Sequence, residues 1–80
     1  MLFVFPTAEQ RCFWMKNTPL PLTIAYIDST GTIVSLADMQ PYSLEPHCSI
    51  APAKFALEME QGWFGRHGLG PGTRISEAPR

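Results

Sequence analysis

Charge is scarce in this chain, and what there is follows no pattern. Lys, Arg, Asp and Glu make up 16% of the residues, against roughly 25% in an average globular domain. The formal net charge is -1, and the six cations, Arg11, Lys16, Lys54, Arg66, Arg74 and Arg80, are dispersed along the chain. That leaves no basic stripe to hold a nucleic-acid backbone. No apolar run approaches the roughly 20 residues that a membrane-spanning helix needs. Residues 1–5 are apolar, but they are few, lack a basic n-region and run into Pro6, so they read as a strand rather than as a leader. There is no CxxC, no Cys/His pair at metal-ligand spacing and no Gly-Lys-Ser/Thr ending to a glycine-rich loop, so neither a metal nor a phosphate-bound cofactor is expected. The two cysteines, Cys12 and Cys48, permit one disulfide. Cys is among the most buried residue types, and two buried free thiols are the expectation, with a bridge as the alternative.

Proline is plentiful instead, at 8 of 80 residues, about twice the usual share, and five of the six glycines fall in residues 61–72. A chain of this length makes one domain and buries only about 60% of the surface its unfolded form exposes. The balance predicts a turn-rich fold of short strands. Residues 1–5 predict a strand buried on both faces, and residues 11–15 a second strand paired with it as an antiparallel hairpin. Residues 22–28 alternate Leu22, Ile24, Tyr26 and Asp28 with Thr23, Ala25 and Ile27. Neither face is polar throughout, so this strand belongs at the centre of the sheet. Residues 28–32 make a turn in which Gly31 can take a positive φ, and residues 32–36 return as the partner strand.

From Asp38 to Pro52 three prolines break any period, and an unstructured stretch of that length tends to be functional or mobile. Residues 53–60 set a helix-forming composition against the alternation of Phe55, Leu57 and Met59 with Lys54, Ala56, Glu58 and Glu60. The alternation predicts a half-exposed strand. Residues 61–72 predict a tight return with at most one helical turn around Trp63 to Arg66. Residues 73–76 predict a short last strand and residues 77–80 a frayed tail.

Several of these residues stand together as they do in a known family. Met1-Leu2-Phe3-Val4-Phe5, the hexapeptide Phe13-Trp14-Met15-Lys16-Asn17-Thr18 followed by Pro21-Leu22, Ile27-Asp28 with Gly31 and Ile33-Val34, Pro52-Ala53 with Ala56-Leu57-Glu58, and Gly62, Gly68 and Gly72 make the chain resemble domain of unknown function family 192. The resemblance runs from Met1 to about Ile75. It implies a small, mostly β, α+β domain of bacteria and archaea, whose strands form a strongly curved antiparallel sheet or partly closed barrel with little helix. It attaches no activity. Relatives are often exported to the periplasm or cell envelope. They usually carry an Asp where Thr23 and Thr73 stand here, which weakens a carboxylate role at those two places. They also carry a further strand ahead of residues 1–5. Its absence here leaves three alternatives: a start assigned late, a fragment of a longer chain, or a trimmed domain whose exposed edge can pair with a second copy.

The candidate site begins at Lys16, Asn17 and Thr18. An ammonium, an amide and a hydroxyl in a row suit an anion or a sugar, and Trp14 on the face of Lys16 would supply a flat apolar floor. The plainer alternative is a corner in which Asn17 and Thr18 satisfy backbone groups and Trp14 joins the core. Glu58 is either a solvated residue paired with Lys54 or Lys16, or a pocket carboxylate that meets Lys16 and lines one hollow with Trp14 and His47. His47 and Cys48 are adjacent and point opposite ways, so they do not form a nucleophile and base. His67 reads as a turn residue, and Arg11 and Arg66 as surface charges. The reading that follows is a non-enzymatic binding module for a small polar or saccharide-like ligand or a protein partner, built on Trp14, Lys16, Asn17, Thr18, His47 and Glu58. The alternatives are an enzyme using Lys16, Glu58 or His47 as acid or base, and an assembly domain that pairs through residues 1–5.

Overall fold

With apolar side chains on both faces, residues 22–27 can only be buried from two sides, and the molecule is arranged around them. The computed structural model describes residues 1–75. Its elements follow in the order β1 (Leu2–Glu9), β2 (Cys12–Phe13), β3 (Leu22–Ile27), β4 (Ile33–Met39), β5 (His47–Cys48), β6 (Ala53–Glu60) and α1 (Trp63–Arg66). Four strands form an antiparallel sheet in the order β1-β6-β3-β4, and β2 and β5 form a second, two-stranded sheet. This is a small, mostly β, α+β fold whose sheets do not close into a barrel.

The core lies on both sides of β3. On one face Ile24 and Tyr26 pack with Met15, Met39, Ala53 and Ala56, under Phe3, Phe5 and Phe13. On the other Ala25 and Ile27 pack with Ile33, Phe55 and Phe64, and Leu36, Leu57 and Leu69 close around them. The turn from β3 to β4 is as the sequence predicts. Gly31 takes φ 89°, and Asp28 Oδ1 accepts hydrogen bonds from the backbone N–H of Thr30 and Thr32 and from the Thr30 hydroxyl. The alternation of residues 53–60 prevails over their helical composition because β6 lies between β1 and β3 and buries Phe55 and Ala56 on its two faces. A single turn of helix at α1 follows, also as expected.

Three expectations are corrected. The first strand is not buried on both faces. It is an edge, with Phe3 and Phe5 turned to the core and Met1, Leu2 and Val4 exposed. Nor does it form a hairpin with the next strand. It pairs with β6, and its register breaks between Val4 and Glu9 around Pro6, which as an edge residue costs the ladder no donor. The second strand pairs instead with β5, a segment inside the proline-rich stretch, so that the long loop contracts to residues 40–46. The cysteines are the third correction. Cys12 and Cys48 stand directly opposite one another in β2 and β5, with Cα atoms 4.0 Å apart, and are joined by a disulfide. Of the expected last strand, the described part is a single bridge between Thr32 and Arg74. Ser76 and the 77–80 tail lie outside the described residues.

Candidate functional site

The hexapeptide corner divides its side chains between inside and outside. Met15 is 1% exposed and sits in the core, while its neighbour Trp14 is 55% exposed. The corner is fixed by backbone bonds: the Met15 N–H donates to the Ser43 carbonyl, the Thr18 N–H to Met15, and the Tyr42 N–H to Thr18. Lys16 Nζ lies 5.6 Å from the centroid of the Trp14 ring, within cation-π range, so the indole and ammonium do come together. They do so on an open surface, with Asn17 exposed and Thr18 half-buried beside them. Arg11 is not the free surface charge that the sequence suggests. Its guanidinium lies over the Phe5 ring and donates to the carbonyls of Thr7 and Ala53, tying β1 to the start of β6.

His47 and Glu58 are elsewhere. His47 sits in β5, its carbonyl accepting the Tyr26 hydroxyl and its Nε2 buried without a partner among the described residues. Glu58 lies in register with Ile24 on β3. Among the described residues no ion pair joins it to Lys16. Burial raises the Glu58 carboxyl above its ordinary value, and the Met1 ammonium offsets part of that rise. The Tyr26 hydroxyl is pushed up to about 12, first by burial and then by the charge of Glu58, against a smaller lowering by the Phe13 backbone.

The raised Glu58 value fixes a sign. The folded chain holds this proton more tightly than the unfolded one, so stability falls as pH rises from the ordinary value of 4.5 through the folded one. Glu58→Gln is therefore expected to raise the unfolding midpoint at pH 7 and to lose that advantage below about pH 4.5. Thermal melts of both chains across pH check this. A wild-type chain at least as stable as the variant at neutral pH would contradict it.

A cavity lies on neither of these surfaces. It has a volume of about 330 Å³ and is lined by Thr23, Leu36, Ala37, Asp38, Gly62, Phe64 and Gly65. Thr23 and Asp38 are cross-strand partners in β3 and β4, so their side chains meet on one face, and the Thr23 hydroxyl donates to Asp38 Oδ1 at 2.6 Å. Phe64, 2% exposed, anchors α1 against the sheet as one wall, and the Gln61 amide donates to the carbonyls of Leu22 and Met39 at the strand ends. None of the six sequence-derived site residues lines this cleft. Neither Thr23 nor Asp38 stands out in the sequence as a site residue, because the two are 15 residues apart and meet only through the β3–β4 pairing.

An open antiparallel β domain with a cleft between sheet and helical turn is thus the class of protein that fold and geometry define. The chain belongs to domain of unknown function family 192, described as "Uncharacterized ACR", whose model matches residues 1–77. A solved chain from Sinorhizobium meliloti 1021, a proposed transcription regulator, is 39% identical and has a TM-score of 0.88, with 92% of this chain and 58% of that one covered. A second, a protein of unknown function from Novosphingobium aromaticivorans DSM 12444, is 30% identical with a TM-score of 0.85, with 90% of this chain and 52% of that one covered. The chain therefore spans little more than half the length of either. No curated protein matches it.

Proposed function

We propose that the domain is a non-enzymatic binding module for a small polar ligand, and that the ligand sits in the cleft over Thr23 and Asp38. One observation carries the reading: a concave volume of about 330 Å³ in which an apolar wall faces a single hydrogen-bonded polar pair. Binding sites typically have this make-up, with a mostly apolar lining and few oriented polar groups, and this volume is at the lower end of their usual range. The acid-base alternative draws less support, since Glu58, Lys16 and His47 do not share the cleft. The regulatory role attached to the Sinorhizobium protein draws no support from the charge of this chain, which is -1 with cations spread along the sequence. The test is a thermal-shift screen of sugars, amines, nucleotides and anions, repeated with Asp38→Ala and Lys16→Ala. The expected hits vanish with Asp38→Ala and persist with Lys16→Ala. Hits lost only with Lys16→Ala would move the site to the Trp14 corner, and silence across the screen would count against a small ligand.

A second reading has its own observation. β1 is an edge strand whose first five residues carry no charged side chain, with Leu2 and Val4 turned outward, and such an edge can pair antiparallel with a second copy about a two-fold axis. Sedimentation at high concentration tests it, with dimer expected and a lone monomer species removing the idea.

A further inference from the structure

We infer that the ligand of the cleft carries an ammonium group on a small apolar body, an inference that rests on the binding reading above. Asp38 is the one charged residue among the seven that line the cleft. Its Oδ1 is oriented by the Thr23 hydroxyl, and among the described residues it has no ion-pair partner. A cation does approach the rim. Arg66 Nη1 lies 2.9 Å from where a Cβ would stand on Gly62, but the guanidinium is engaged by Glu60 at 2.5 Å.

Three kinds of occupant differ sharply in such a setting. An anion meets an uncompensated carboxylate and is repelled. A neutral polyol can hydrogen-bond to it but leaves the negative charge uncompensated, and its hydrogen bonds lack the charge assistance that a cation brings. An ammonium brings the opposite charge and three donors, and its hydrogen bonds to a carboxylate are of the strong, charge-assisted kind. Leu36 and Phe64 then cover an alkyl or aryl body. The carboxylate provides selectivity through the charge it excludes as much as through the one it attracts.

Three probes of one shape and different charge separate these cases: benzylamine, benzyl alcohol and benzoate, titrated into the isotopically labelled chain and followed by the backbone amide signals of Thr23, Asp38, Gly62 and Gly65. Benzylamine is expected to move these signals to saturation, with the other two roughly 2- to 5-fold weaker. Asp38→Asn, an isosteric change at an exposed position, is expected to weaken benzylamine by roughly 2- to 5-fold, the worth of a solvent-exposed ion pair. Lys16→Ala is expected to leave it unchanged. Equal binding of benzyl alcohol, stronger binding of benzoate, or an Asp38→Asn chain that binds benzylamine undiminished each overturns the ammonium inference while leaving the cleft as a binding site. If none of the three moves these signals, the inference and the binding reading fall together.

Discussion

Replacing both bridge partners, Cys12→Ser with Cys48→Ser, is expected to lower the unfolding free energy by roughly 3–4 kcal/mol, the loop-closure value for a link of this span. The bond joins residues 36 apart in sequence. A chain of 80 residues holds a total of only about 4–12 kcal/mol, so the loss is a large share of its stability. In temperature it corresponds to a fall of roughly 15–25 °C. The bridged strands have two residues each and are held besides by hydrogen bonds of Gln10 and Arg11 to Ser49, so the loss comes from the freed loop of the unfolded chain. Both cysteines are exposed, so a reductant should reach the bond and reproduce the shift in the wild-type chain. The check is a melt with and without reductant, with thiols counted afterwards. Full reduction at an unchanged midpoint would contradict the account.

Met15→Ala is expected to cost about 3 kcal/mol, within the range for large-to-small changes at buried positions. Trp14→Ala, one residue away, should cost far less. Met15 is 1% exposed and packs on Ile24, Tyr26 and Met39 beneath Phe13, whereas the Trp14 ring lies mostly in solvent. The backbone N–H and C=O of Met15 bond Ser43 and Thr18, so a cavity beneath this residue lies directly under the corner. The corner should therefore loosen as the core does. Denaturant unfolding of the two variants measures the difference. Equal costs, or a larger one for Trp14→Ala, would mean that the indole and not the thioether anchors the hexapeptide.

That contrast bears on how far the sequence could be read. β3, its glycine turn, β4 and β6 follow from local signals: alternation within each strand, and a residue free to take positive φ between two of them. The family is likewise legible in the hexapeptide and the spaced glycines. What the residues do not announce is pairing over distance. β1 lies against β6 and β2 against β5, each across a separation that no local pattern encodes. The disulfide was underweighted for the same reason, since its partners meet only through the β2–β5 pairing. Trp14 and Lys16 are conspicuous in the sequence because they are large and charged, while the cleft is lined by seven residues from three segments that meet only after the sheet is assembled and α1 is docked on it. Arg11 shows the converse. A residue that reads as surface charge is held over Phe5 and bound to two carbonyls.

Crystals soaked with a mixture of small amines, alcohols and carboxylates would test the placement of the site most directly. Ordered fragments within hydrogen-bond distance of Asp38, resting on Leu36 and Phe64, are the predicted result. Fragments gathered on the Trp14 and Lys16 surface, with nothing between β4 and α1, would contradict it.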